Sequence, residues 1–189
     1  MILEETAVWI DGIIPGEMTI HLPETSYGEA FHIGTVDLGD QQVLATTLDF
    51  NGVDTGLTLG DGSDQVDVRS EIFTVGQFPT EVGVQVLRRL AVFLDNVGGS
   101  IPAQPGQLVP ALGSMTDALD RCTVKHGLFV APYVWGGQVP QYSEPSQLTA
   151  LLQLIMLTQN EFDYATTYGI HELQKALGNE GVDLSDWTR

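Results

Sequence analysis

The sequence has one cysteine, few basic residues and no long apolar run, and each shortage excludes a class of protein. Because Cys122 is the single cysteine in 189 residues, no internal disulfide and no paired-cysteine metal or redox motif can form. The first six residues carry Glu4 and Glu5, where a secretory signal needs positive charge. No segment approaches the roughly 20 apolar residues of a membrane-spanning helix. We therefore expect a cytoplasmic protein with no membrane partner.

Basic residues are also scarce, at 7 Lys plus Arg against 25 Asp plus Glu, for a formal net charge of −18. Nucleic acid is held by basic side chains that displace counterions, so it is excluded as a direct partner. No Lys or Arg precedes Arg69, while acids recur from Glu4 to Asp67, so the N-terminal third carries charge of one sign. Such a field speeds encounter with a basic protein. The simpler interpretation is that the acidity only keeps the protein soluble or reflects a generally acidic, salt-adapted proteome.

What the sequence does contain is ordinary globular apolar content, 43% of residues, in a length that suits one domain over residues 1–189. Apolar residues separated by turn residues predict short strands over 7–22 and a further strand over 31–36. Asn51-Gly52 lies between apolar runs at 43–50 and 53–59 and predicts a tight hairpin. That pairing would place Asp49 opposite Asp54.

The rest of the chain alternates strands and helices. A strand is predicted over 66–75, and a long amphipathic helix begins at Pro79-Thr80 and ends at Gly98-Gly99. Its Arg88 and Arg89 are predicted to lie mostly on the face away from the core. The apolar run 148–157 predicts a central strand buried on both faces.

A capping box formed by Thr158 and Glu161 marks the start of a helix that ends at Gly169. A second short helix ends at Gly178, and the tail beyond it is expected to fold back on the domain. Together these patterns predict an α+β fold, with a mostly antiparallel sheet, one long packed helix and a C-terminal helical pair.

Motifs for catalysis are missing from the sequence. His126 follows Cys122 by four residues, but the segment 123–129 is predicted to be extended, which does not hold such a pair on one face. The four histidines lack the spacing of a zinc site. The acidic loop Asp61, Asp64 and Asp67 lacks the ligand order of a calcium loop. We therefore expect no enzyme, no catalytic residue, no bound metal and no cofactor.

Five blocks of the C-terminal two-thirds form a pattern of their own. They are Val68-Arg69-Ser70-Glu71-Ile72, the aromatic segment Phe129 to Trp135, the strand-to-helix junction Gln153 to Glu161, the helical segment Tyr164 to Leu173, and the ending Gly181 to Arg189. In order and spacing these blocks resemble the suppressor-of-fused (SUFU) domain family, and the match is strongest over 66–189. Family members often have proline where this chain has Ala131 and Met156, and the first 40 residues match the family pattern poorly.

The resemblance implies an α+β domain that binds proteins and catalyses nothing. Animal members hold a peptide of a Gli transcription factor and use an additional C-terminal domain to do so. Bacterial single-domain members resemble immunity proteins, which neutralise a toxin by binding it. Many such toxins are basic, which agrees with the acidity of this chain.

The leading hypothesis is therefore an immunity-type protein that binds a protein partner, with a basic toxin domain as the candidate, and that acts as a monomer or small homo-oligomer. The alternatives are an adaptor that captures an extended peptide by strand addition and, more remotely, an uncharacterised hydrolase or metal-dependent enzyme. Core packing is the competing interpretation of the two aromatic residues among the predicted contacts. The predicted partner-binding residues are Asp49, Asp54, Asp61, Asp64, Asp67, Tyr133 and Trp135.

Overall fold

The computed structural model describes residues 1–23, 30–62, 65–133 and 138–189. These residues form four α-helices and nine strands around a mixed sheet. The helices are α1 (Leu3–Asp11), α2 (Thr80–Val97), α3 (Gln159–Tyr168) and α4 (Ile170–Glu180). The strands are β1 (Thr19–His21), β2 (Ile33–Gly39), β3 (Gln42–Thr47), β4 (Leu57–Leu59), β5 (Val66–Gly76), β6 (Leu108–Val109), β7 (Val124–Val130), β8 (Gln141–Ser143) and β9 (Gln147–Thr158).

The strands lie in the order β1-β2-β3-β5-β9-β7-β6, with β4 paired to β5 and β8 paired to β9. Every neighbouring pair is antiparallel except the central one, in which β5 runs parallel to β9 over residues 67–73 and 147–153. The predicted α+β class with a mostly antiparallel sheet is confirmed. Beyond Phe73 and Gln153 the pairing of the two central strands ends, while β5 goes on pairing with β3 as far as Gly76 and β9 goes on pairing with β7 as far as Thr158.

The largest core lies between α2 and one face of the sheet. Residues of β9 alternate between the two faces, so Leu152, Leu154 and Met156 pack toward α2 while Leu151 and Leu157 pack on the other side. This two-sided burial explains the unbroken apolar run that predicted a central strand, and it confirms that prediction. Helix α2 ends at Gly98, whose left-handed backbone forms the predicted stop.

The opposite face of the sheet is covered at its two ends by different helices. At one end α1 packs on Val36, Leu44 and Phe73. At the other end α3 and α4 pack on Leu128 and Leu157 in a smaller cluster. Between α1 and the α3–α4 pair lies a strip of the sheet formed by Val75, Gln153 and Ile155. This strip forms the floor of a cleft.

The prediction of short strands over 7–22 is wrong for its first half, which is helical. The alternation of Val8 and Ile10 suggested a strand, but Val8 is 75% exposed and Ile10 is fully buried. Thr6 and Ile10, one helical turn apart, are the buried residues of α1. The Glu5 side chain accepts from the Ile2 backbone N–H at 3.1 Å and so satisfies the helix start.

The hairpin predicted at Asn51-Gly52 is also wrong, and with it the pairing of Asp49 and Asp54. Residues Phe50–Gly52 form a short 3-10 helix, β3 pairs with β2 and β5, and β4 pairs with β5. The cause is Glu71, twenty positions away, whose buried carboxylate accepts from the Asn51 backbone N–H at 2.9 Å and its side-chain amide at 2.7 Å. A long-range contact therefore overrides the local turn preference of Asn-Gly.

The predicted capping box and the predicted fold-back of the C-terminal tail are confirmed. The capping box is present: Thr158 Oγ1 accepts from the Glu161 N–H, and the Glu161 carboxylate accepts from the Thr158 N–H at 2.7 Å. Helix α4 runs two residues beyond the predicted end at Gly178, to a left-handed Gly181. The tail folds back as expected, and Trp187 is 1% exposed in the main core.

Arg88 corrects one further expectation, because it points into the protein and not away from it. Its guanidinium donates to the carbonyls of Phe31, His21 and Leu22. His21 and Leu22 precede residues 23–30 and Phe31 follows them. Arg88 therefore links the chain on both sides of these residues to α2.

Candidate functional site

Three of the predicted acidic contacts gather at one hairpin. Strand β4 and the start of β5 form it, with Thr58 opposite Asp67. Asp54 precedes β4, and Asp61 lies in the connection that follows it. All three carboxylates are exposed. We call β4, residues 65–69, Asp54 and Asp61 the acidic hairpin.

Arg69 organises the acidic hairpin from within. Its guanidinium contacts Asp54 at 3.2 Å and Asp67 at 2.9 Å, and it donates to the Val53 carbonyl at 2.7 Å. The arginine side chain is only 16% exposed, whereas the Asp54 and Asp67 side chains are 65% and 53% exposed. The two carboxylates therefore share one cation and keep most of their surface open to solvent.

The backbone beneath these carboxylates is held on two sides. Thr55 donates its hydroxyl to the Val68 carbonyl. Gly56, with a φ of +72°, lies so close to the Gly99 carbonyl at the end of α2 that a side chain there would overlap it. Asp54 and the start of β5 therefore lie on backbone that the rest of the fold holds in place.

Asp49, another predicted acidic contact, does not join this group. Asp49 faces His32, accepting from its backbone N–H at 3.1 Å and from its Nδ1 at 2.6 Å. Its side chain is 27% exposed, so little of the carboxylate is open to a partner. Asp64 and Trp135 lie outside the described residues.

Tyr133 is 60% exposed. It borders the cleft, which lies on the face of the sheet opposite α2. That exposure contradicts core packing as the explanation of this aromatic side chain. The structure does not bring Tyr133 into contact with the acidic hairpin, so the two sets of predicted residues belong to different surfaces.

Glu71 is the buried group that sequence reasoning did not single out. It has no exposed surface, and its carboxylate accepts from the Thr47 hydroxyl, the Phe50 N–H and both N–H groups of Asn51. Burial raises the pKa of Glu71 to about 7, although the hydrogen bonds from Thr47 and Asn51 lower it. The Arg-x-Glu spacing in β5 was the available signal, since alternate strand residues share a face and Arg69 and Glu71 both secure residues 50–54.

His126 and Cys122 are the candidate residues for nucleophilic catalysis in the sequence, and the structure places each of them in other contacts. His126 accepts the Ala111 N–H at Nδ1, at 3.0 Å, and stacks on Phe162 with ring centroids 4.0 Å apart. Burial raises the pKa of the Cys122 thiol, which disfavours a reactive thiolate. Among the described residues no three His, Cys, Asp or Glu side chains could hold a metal ion. The helices of this same part include none with the length and apolarity to cross a membrane.

No protein-family model and no curated protein matches this sequence. Solved structures do match its fold. A SUFU (suppressor of fused protein) homologue from Neisseria gonorrhoeae FA 1090 aligns with a TM-score of 0.68 and 16% identity, over 99% of this chain and 92% of that one. The Sufu–Fu complex contains a chain that aligns with a TM-score of 0.55 and 12% identity, over 98% of this chain and 86% of that one.

Drosophila Suppressor of Fused aligns with a TM-score of 0.52 and 11% identity, over 98% of this chain. The present chain spans 48% of the Drosophila protein's length. At these identities the likeness concerns fold alone, and it is consistent across nearly the whole chain. The protein has a SUFU-like fold, which confirms the resemblance drawn from its sequence motifs.

Proposed function

We propose that this protein is a non-catalytic, immunity-type inhibitor that neutralises a basic protein partner by binding it through the acidic hairpin. The observation that carries the proposal is an acidic surplus that the chain does not neutralise internally. All seven Lys and Arg residues are described, and five of them are already engaged. Arg69, Lys175 and Arg189 form ion pairs, while Arg88 and Lys125 donate to backbone carbonyls.

The acidic hairpin suits this role because two of its three carboxylates, Asp54 and Asp67, are held in place before a partner arrives. Arg69 pairs with both of them. Glu71 holds the backbone at Asn51, three residues before Asp54, by accepting from its N–H. A surface that is already ordered loses little conformational entropy on binding. Carboxylates arranged in this way complement a basic surface and raise the association rate at low salt.

The fold gives separate support for binding. A protein with this fold has been solved in a complex, the Sufu–Fu complex. In that complex one SUFU-like chain is bound to another protein, and a binding role is proposed here with a different partner. The proposal requires neither a metal nor a cofactor.

Affinity capture tests the proposal directly. The full chain, immobilised through a tag, is used as bait in a lysate of its source organism at 50 mM and at 500 mM NaCl. The expected result is a basic protein that is retained at the lower salt concentration and released at the higher one. Recovery of acidic or neutral partners that withstand high salt would contradict the role of charge.

A matched pair of variants locates the surface. The triple variant Asp54→Asn, Asp61→Asn, Asp67→Asn removes three charges from the acidic hairpin. The control Asp40→Asn, Asp95→Asn, Glu180→Gln removes three exposed charges elsewhere. We expect the first variant to lose at least tenfold in affinity for the captured partner and the control to lose less than twofold. Equal losses would show that only the net charge matters.

The alternative function, capture of an extended peptide by strand addition, is favoured by one observation at the same hairpin. Among the described strands β4 pairs with β5 alone, and its Leu59 is 58% exposed. An added strand would continue the sheet beside β4. Overlapping linear peptides of the captured partner distinguish the two functions: strand capture predicts that one peptide binds as tightly as the folded partner, and inhibition by surface recognition predicts that none does.

A further inference from the structure

The strip of sheet between α1 and the α3–α4 pair forms the floor of a cleft that has two connected compartments. One has a volume of about 610 Å³ and the other about 380 Å³. They share Tyr133, Ile155, Val182 and Leu184. The larger compartment runs under α4, and the smaller one reaches the place where the pairing of β5 and β9 ends.

The larger compartment is almost entirely apolar. Leu128 and Ile155 belong to its floor on β7 and β9, while Ile170 and Leu177 form the wall on α4. Gln174 and Tyr133 are its polar side chains among the described residues. A concave apolar space of this volume has the size and character of a small-molecule site.

The smaller compartment contains a buried acceptor without a donor. Gln153 is 3% exposed and borders the compartment, and its Oε1 has no hydrogen-bond partner in the described structure. Most buried polar atoms in folded proteins are paired, because an unpaired one loses its hydration without compensation. An occupant that donates an N–H or O–H at this position would remove that loss.

Charge further restricts the occupant. Among the described residues bordering the two compartments, Asp183 is the one ionisable acid, and none is Lys, Arg or His. No cation is therefore available to compensate a bound carboxylate or phosphate, and the net charge of −18 repels anions from the whole molecule.

We propose that this cleft binds a neutral, largely apolar small molecule that carries one hydrogen-bond donor. The apolar body lies between the sheet and α4, and the donor points to Gln153 Oε1. This site is separate from the acidic hairpin and does not depend on a protein partner.

Three probes of similar shape test the chemistry by isothermal titration calorimetry on the full chain. They are 4-butylphenol, which has a donor, 4-butylanisole, which lacks one, and 4-butylbenzoate, which is an anion. We expect the phenol to bind, the anisole to bind roughly 3- to 10-fold more weakly because one hydrogen bond is lost, and the benzoate to give no measurable binding. Absence of phenol binding, or equal affinities for the phenol and the anisole, would overturn the proposal.

Variants place the binding in the cleft. Gln153→Leu should make the phenol and the anisole bind equally well. Leu177→Trp, at a half-buried position on the wall, should fill the larger compartment and abolish binding of both. Val8→Trp adds the same indole at a 75% exposed position on α1 and should leave binding unchanged. If Gln153→Leu does not fold, the three probes on the wild type and on Leu177→Trp still test the proposal. Binding that is retained in Leu177→Trp would overturn it.

Discussion

Glu71 is a carboxylate with no exposed surface whose four donors come from Thr47, Phe50 and Asn51. Asn51 also donates to the Thr6 hydroxyl at 3.2 Å, so the same group of hydrogen bonds reaches α1. An ionised group in this position is disfavoured by burial and favoured by its donors, and burial is the larger effect on its pKa. Protonation of Glu71 therefore acts on the hydrogen bonds that hold Thr47, Phe50 and Asn51 in place.

The first prediction concerns the pH dependence of stability. The pKa of Glu71 is raised from 4.5 to about 7 in the folded protein, so the folded state binds the proton more tightly than the unfolded state. Its contribution to stability is fully present below pH 4.5 and is lost as pH rises through 7. Over that window the loss is about 3 kcal/mol, at about 1.4 kcal/mol per pKa unit.

Urea unfolding of the wild type and of Glu71→Gln at pH 4.5 and pH 8 measures this loss. Other titrating groups are common to both proteins, so the difference between them isolates Glu71. We expect the wild type to lose about 3 kcal/mol more than the variant between the two pH values. A constant difference would show that the pKa of Glu71 is not raised in the folded protein.

Among the secondary-structure elements, α3 depends on its first turn. The reciprocal hydrogen bonds of Thr158 and Glu161 satisfy two backbone donors, and Arg189 pairs with Glu161 at 2.9 Å from the tail. Only Ala165 of α3 is buried, so packing contributes little to holding this helix. Its capping residues therefore matter more than those of α2.

The second prediction follows from that dependence. Thr158→Ala removes the cap and should lower the free energy of unfolding by about 1 kcal/mol. Thr167→Ala, on the exposed side of the same helix, is the control and should change stability by less than about 0.5 kcal/mol. Chemical denaturation followed by circular dichroism gives both values, and equal effects would contradict the role of the cap.

The turn between β2 and β3 supplies the third prediction. Asp40 and Gln41 both have positive φ, 48° and 64°, as a tight hairpin turn requires. Gln41→Gly should relieve this strain and raise stability by roughly 0.5 kcal/mol. Gln42→Gly, one residue later in β3, should lower it, because glycine weakens a strand. Thermal unfolding of the two variants checks the opposite signs.

Elements with strong local signals were predictable, and those fixed by distant contacts were not. The apolar stripe of α2, the capping box at Thr158 and the buried run of β9 each specify their structure within a few residues. Asn51-Gly52 has an equally strong local preference, but its amides are bound by Glu71 from another strand. Likewise, the cleft acceptor Gln153 lies within an apolar strand, and nothing local shows that its Oε1 lacks a partner.

For the molecule as a whole, the net charge of −18 is the dominant physical property. Mutual repulsion among like charges destabilises a compact state, and salt screens it over a Debye length of about 10 Å at 0.1 M. The arrangement of the acids was only partly predictable. Their surplus is visible in the sequence, but the sharing of Arg69 by Asp54 and Asp67 depends on the strand register.

The fourth prediction is that added salt stabilises the free protein. Raising NaCl from 20 mM to 300 mM should increase stability by about 1 kcal/mol, or roughly 2–4 °C in melting temperature. The variant Asp40→Asn, Asp95→Asn, Glu180→Gln carries three fewer charges and should show a smaller rise. A melting temperature that falls with salt would show that ion pairs outweigh repulsion.

The central claim is that the acidic hairpin binds a basic protein, and the salt dependence of that affinity tests it most directly. The dissociation constant of the captured partner is measured by calorimetry between 50 and 500 mM NaCl, for the wild type and for Asp54→Asn, Asp61→Asn, Asp67→Asn. We expect the wild-type affinity to fall steeply with salt and the variant to bind weakly with a much shallower salt dependence. A variant that retains wild-type affinity and the same salt dependence would show that the acidic hairpin is not the binding surface.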